Sequence, residues 1–220
     1  MQIATLTELT KRSFFEMMKD VATSIPGHVL AFDPATQLAQ IQIGIVRKDV
    51  NGKPFTPPPL IEVPVHFQGG KFTVEHQIDV GDEGFILFSQ RCIDGWMTTG
   101  GVAENPIMRF HDLSDAVFLP GVRSQPNVIN DFANNGIRLR NADGTQYFWL
   151  KNDDSIEVAN ASGSFTLDAS GAFNGTFTGF NIDSPTFTHN GTNVGDDHKH
   201  EAGTYNINGT PVVDNSGDPI

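Results

Sequence analysis

SIEVANASGSFTLDASGAFNGTFTGFNIDSPTFTHNGTNVG, residues 155–195, decides the architecture of this chain. Of its 41 residues, 22 are Gly, Ser, Thr or Asn, a composition that ordinarily leaves a segment disordered. Yet Phe165, Phe173, Phe177, Phe180 and Phe187 are spread through it, with Leu167 and Ile182 beside them. SFTLDAS, TFTGFNID and TFTHN each alternate apolar with polar, the period of a strand. The parity shifts by one residue between Phe177 and Phe180, as a corner or bulge requires. Strands this short lack partners and cannot bury isolated apolar residues alone, whereas several copies wound together make one continuous core. The expectation over 136–195 is an intertwined homo-oligomeric β-helix, most simply a trimer. No Lys or Arg occurs between Lys151 and Lys199, so this shaft is acidic or neutral throughout.

Upstream, residues 27–112 read as short strands in a small barrel such as an OB-fold, or in a small sandwich. HVLAFDPATQLAQIQIGIV sets Asp33-Pro34 between two alternating runs, a hairpin signal, with Leu38, Ile41, Ile43 and Ile45 largely obeying the period of two. KPFTPPPLIEVPV cannot be a central strand, because its prolines supply no amide donors; it reads as a loop entering an edge strand. GDEGFILFSQ reads as a strand followed by a tight turn at Asp94-Gly95. Residues 113–135 carry two prolines and no clean period, and read as a neck. At the start, within residues 1–26, Thr5 and Glu8 have capping-box spacing and Leu6, Leu9, Phe14, Met17, Met18 and Val21 recur at helical spacing. Pro26 and Gly27 are expected to end that helix.

Composition limits the function classes. The 220 residues carry 26 acidic and 14 basic side chains, a net charge of −12, which repels phosphate backbones and disfavours nucleic acid as a partner. One cysteine forms no disulfide within the chain and no cysteine-based zinc finger. No apolar run of membrane-spanning length and no secretory signal is read, so synthesis in a reducing cytoplasm is expected. H-E-x-x-H, G-x-S-x-G and phosphate-binding glycine loops are absent from the sequence, so no catalytic residue is assigned and the chain is expected not to be an enzyme. His28, His66, His76 and His111 are isolated, Cys92 reads as a small buried hydrophobe, and Trp96 and Met97 read as core residues rather than as an oligomer contact.

Beyond the shaft, residues 196–220 form the apex, and the chemistry gathers in DDHKHE. His198 and His200 stand at i and i+2, on one side of an extended strand and roughly 6.5–7 Å apart at the backbone. Two imidazoles from one chain cannot close a structural site, but three chains about a threefold axis supply six nitrogens. Imidazole accommodates Fe, Ni, Zn or Cu; six-coordination argues against structural zinc and favours iron(II), with nickel and zinc still open. Asp196, Asp197 and Glu201 stand where they can orient imidazole N–H groups.

Several segments resemble one known family. PGHVLAFDPATQLAQIQ (26–42), GDEGFILFSQRCIDGWMTTGG (81–101) and HDLSDAVFLPGVRSQP (111–126) resemble the N-terminal module of the central membrane-piercing spikes (baseplate assembly protein V type) of contractile-tailed bacteriophages. THNGTNVGDDHKH (188–200) resembles that family's tip signature. The resemblance implies a homotrimer with an N-terminal OB-fold, a triple-stranded β-helix and a pointed tip. It implies one iron ion per trimer, held by His198 and His200 of all three chains, with His189 not a ligand. It implies a place in the virion at the tail tip, with the N-terminal face docked on the baseplate hub and the tip meeting the host outer membrane. A trimeric receptor-binding tail fibre and a tail-associated cell-wall hydrolase are the readings set below it. The chain from about Asn135 onward is expected not to fold as a monomer. Sedimentation of that fragment tests this, and a folded, monodisperse monomer contradicts the shared shaft.

Overall fold

The computed structural model describes residues 5–105, 107–184, 186–193, 205–207 and 210–212. The chain divides into two compact units, Met1–Val128 and Ile129–Ile220.

The first unit opens with helix α1 (Leu6–Lys19), capped as its spacing predicts. The Thr5 hydroxyl accepts from the Glu8 amide at 3.3 Å, and the Glu8 carboxylate accepts from the Thr5 amide at 2.7 Å. None of its residues is buried. The helix stops at Asp20, before the expected Pro26-Gly27, because those two residues already belong to strand β1 (Ser24–Asp33). β1 turns into β2 (Leu38–Ile43) over the predicted Asp33-Pro34 hairpin. Asp33 accepts from the Ala35 amide at 3.0 Å and the Thr36 hydroxyl at 2.7 Å, which fixes the turn. Ala39, Ile41 and Ile43 are the inward residues of β2. Leu38 is one residue out of that phase, and Ile45 lies past the strand end, exposed.

A small hairpin, β3 (Arg47–Lys48) with β4 (Pro54–Phe55), precedes β5 (Leu60–Pro64), which pairs with β2 at the sheet edge as its prolines require. β6 (Glu83–Phe88) pairs with β1 on the other side. The turn expected at Asp94-Gly95 is instead the first turn of a short helix, α2 (Asp94–Thr99). The neck expected over 113–135 loses its first part to β7 (Ala116–Pro120), which pairs with β6. Its period was hard to read because Ala116 and Phe118 are buried while Val117 and Leu119, between them, are apolar too.

These strands form one antiparallel sheet in the order β5-β2-β1-β6-β7. The sheet curls until its edges meet: Val65, just past β5, bridges Phe118 of β7 in the parallel sense, and the His66 amide donates to the Phe118 carbonyl at 2.9 Å. The half-barrel so formed encloses the core, with Phe118, Ile41, Ile86 and Val29 among the fully buried side chains. Gly84 lets β6 approach that ring, since a Cβ there would stand 2.7 Å from Phe118 Cζ.

The second unit is a plain meander. β8 (Gly136–Arg140), β9 (Tyr147–Lys151), β10 (Ile156–Asn160), β11 (Gly163–Leu167) and β12 (Phe173–Thr176) each pair antiparallel with the next. The strands therefore find partners in their own chain, which corrects the expectation that they lack them. A two-residue hairpin follows, β13 (Thr188–His189) and β14 (Thr192–Asn193). Its turn residues Asn190 and Gly191 both have positive φ, 49° and 81°, which explains the Asn-Gly of the T-H-N-G segment. β15 (Tyr205–Ile207) pairs with β16 (Thr210–Val212).

Phe118→Ala empties the centre of the half-barrel and should cost about 3–5 kcal/mol of unfolding free energy. Urea unfolding followed by circular dichroism measures it, and a loss below about 1 kcal/mol would remove Phe118 from its central place.

Candidate functional site

In the second unit the pairing register sorts side chains sharply by face. Ile137 stands opposite Leu150, Leu150 opposite Ile156, Ile156 opposite Leu167, and Leu167 opposite Phe173. One step along the strands, Leu139, Phe148, Val158 and Phe165 make a second row on the same face. Nine apolar side chains from five strands thus share one side, with no charged residue among them. All the buried apolar residues described lie in the first unit, so this face covers no core of its own. Ile137 is 68 % exposed and Phe173 62 %.

The opposite face carries the polar and charged side chains, several of which pair with one another, while the buried Trp149 Nε1 has no hydrogen-bond partner among the described residues. Arg138 and Lys151 lie over the Trp149 ring at 5.0 and 4.6 Å. Glu157 accepts from Lys151 and from the Tyr147 hydroxyl. Lys151, then Tyr147, hold the Glu157 carboxyl below its ordinary value, and Glu157 in turn raises the Tyr147 phenol. Arg138 and Arg140 also donate to the Asp131 and Asn130 carbonyls at 2.7 and 2.8 Å, which fastens the segment entering the sheet.

The meander's turns are set by one repeated device. Asp143, Asp153, Asn160 and Asp168 each accept from the backbone amide two residues on, at 3.0, 3.0, 2.8 and 2.9 Å. The signal is visible in the sequence as [DN]-x-[ST] at each turn.

The first unit holds a second cluster. Cys92, Asp94 and Asp115 bring three possible metal-ligand atoms within 4.8 Å of one another. Arg109 already fills the space between them. Its guanidinium donates to Asp115 at 2.8 and 3.0 Å, to Asp94 at 3.0 Å and to Cys92 Sγ at 3.2 Å. Asp115 is fully buried and also accepts from the Ile93 amide at 3.0 Å. Arg109 above all holds its carboxyl below the ordinary aspartate value. A cation in residence makes this a structural knot tying the loop after β6 to β7, not a metal site. Nothing in the sequence spacing pointed to it.

Of the residues singled out in the sequence, Cys92 is buried as expected. His111 Nδ1 lies 3.1 Å from the Ala22 carbonyl, a structural role. Trp96 and Met97, expected in the core, are instead exposed at 53 and 39 %, because they sit on a helix flanking the barrel rather than on a strand. His189 lies on exposed strand β13. His198, His200, Asp196, Asp197 and Glu201 lie outside the described residues.

The three turn aspartates, Asp143, Asp153 and Asp168, all sit below the ordinary value of 3.8, each held chiefly by a side-chain hydrogen bond from Thr145, Ser155 or Ser170. A depressed folded value means that their contribution is complete above pH 3.8 and is lost as pH falls through the folded values. Asp168→Asn should reduce the acid destabilisation of the second unit, followed by Trp149 fluorescence; an unchanged acid transition counts against the turn device.

Residues 25–121 match the family model described as the Phage protein Gp138 N-terminal domain. The matched stretch runs from the second residue of β1 to the residue after β7, so it takes in the whole half-barrel and leaves out α1 and the meander. No curated protein matches the chain. Over residues 25–121 the chain is similar to the N-terminal domain of a phage protein family.

Proposed function

We propose that this protein is a structural component of a phage tail: a homotrimeric central spike at the tail tip that pierces the host outer membrane mechanically. The observation that carries this reading is the apolar meander face, whose nine side chains are exposed or only half-buried in the single chain. The phage-domain match over 25–121 supports it independently.

The parts then divide the work. The first unit is an OB-fold: strand order β5-β2-β1-β6-β7 with a parallel contact between the two edges is the order of that five-stranded barrel. It attaches the spike to the baseplate hub, and the unburied apolar face of α1 is available for that contact. The meander supplies a stiff shaft through contacts with other copies. His198 and His200 of three chains hold one iron ion at the apex, where six imidazole nitrogens suit an octahedral ion. Metal bound there adds to folding free energy, closing strands that would otherwise fray. The acidic second unit limits adhesion to anionic surface glycolipid and to the phage's own DNA. No step is catalytic.

Native mass spectrometry of the purified chain tests the reading in one measurement. Three chains carrying one iron are expected, and His200→Ala should keep the trimer while losing the metal. A metal-free monomer overturns the spike, and a His200→Ala trimer that keeps wild-type metal overturns the two-histidine site.

A further inference from the structure

We infer that the first unit carries a binding site for an uncharged saccharide, in the cavity between the β1–β2 turn, the segment after β5 and helix α2. The cavity measures about 600 Å³. That is the size of sites that enclose a small molecule. It lies wholly within the first unit, so it stands or falls separately from the trimeric spike.

The floor of the cavity is aromatic and fixed. Phe32 and Phe67 are half-buried against the barrel core, their ring centroids 6.3 Å apart. The His76 ring stands 5.1 Å from that of Phe67. Trp96 of α2 lines the same cavity and is 53 % exposed, so its indole offers surface to an incoming molecule. The wall between Phe67 and His76 is a tight turn. Gly69 bridges Thr73, the Gly70 amide donates to the Phe72 carbonyl at 2.9 Å, and the Val74 amide donates to the Gln68 carbonyl at 2.8 Å. A Cβ on Gly69, whose φ is 147°, would stand 2.3 Å from the Phe72 carbonyl oxygen, so the turn needs glycine there. A wall held by backbone bonds loses little freedom when a ligand arrives.

Around this floor stand polar groups that nothing engages. The side chains of Gln37, His66, Thr73 and Glu75 line the cavity, and none of them hydrogen-bonds or ion-pairs with a described residue. Elsewhere in the unit, exposed acids close on their own neighbours, Asp33 on Thr36 and Glu83 on Ser124 and Asn127. Among the described residues lining the cavity, Glu75 is the only one with a permanent charge, and no Lys or Arg is present. A phosphate, sulfate or uronate therefore finds no counter-ion, and the net charge of −12 repels it. An ammonium ligand would engage the rings and Glu75, but it leaves Gln37, Thr73 and most of the volume unused. A wholly apolar ligand leaves every one of the polar groups unused. A sugar matches both halves of the site: its C–H face covers an aromatic ring, and its hydroxyls donate to and accept from the rim.

Calorimetric titration of the full chain with maltotriose and with chitotriose tests this, the two differing in whether the rings carry N-acetyl groups. Binding of at least one is expected, and trigalacturonate and choline should give none. Trp96→Ala alters an exposed side chain, so it should keep the wild-type Tm while weakening binding about tenfold, the effect of one lost ring contact. Thr73→Val removes one rim hydroxyl and should weaken binding severalfold, which keeps the proposal testable if Trp96→Ala does not fold. Trp149→Phe, in the second unit, should bind as the unaltered chain does. No heat from either trisaccharide at millimolar concentration, undiminished affinity in folded Trp96→Ala and Thr73→Val, or equal affinity for trigalacturonate or choline overturns the proposal. Native mass reads subunit number and metal separately, so neither result here decides the spike.

Discussion

A single-layer sheet with nine apolar side chains on one face has no stable existence in water, and that constraint governs the second unit. Its five strands pair within the chain, its turns are held by aspartate and asparagine side chains, and Arg138, Lys151, Tyr147 and Glu157 engage one another or Trp149 on the outer face. Only the hydrophobic term is left open. Burying one aliphatic or aromatic side chain contributes on the order of 1.5–3 kcal/mol, so covering such a face outweighs any surface ion pair in the molecule.

The first unit solves the same problem without help. A curled sheet whose edges meet at Val65 and Phe118 encloses its own apolar face, which is why ten buried apolar residues cluster there. The Arg109 knot then fastens the long loop between β6 and β7 through a fully buried carboxylate. Replacing one partner there would strand a charge, so the arrangement tolerates little change.

Local signals were the most legible. The capping box at Thr5 and Glu8, the Asp33-Pro34 hairpin and the edge placement of the proline-rich strand all follow from neighbouring residues, and all are present. What was misread depended on distant partners. β7 looked like a connector because a strand apolar on both sides shows no alternation. Asp94-Gly95 looked like a turn because its helix depends on the flanking loop. The meander strands looked partnerless because their pairing is set by turns whose Asp-x-Ser/Thr code was taken for simple polarity.

By itself the sequence determined a mainly β chain with an N-terminal helix, an acidic composition with a single cysteine, and alternating strands in its second half. It also placed two histidines at strand spacing near the end. Only the tertiary structure decided that those strands pair within one chain, that their apolar residues line up on a single face, and that a guanidinium occupies the one ligand-rich cluster among the described residues. The reason is physical: periodicity records which way each side chain points along its own strand, whereas register across strands and the meeting of residues 6 to 22 positions apart are properties of the folded chain.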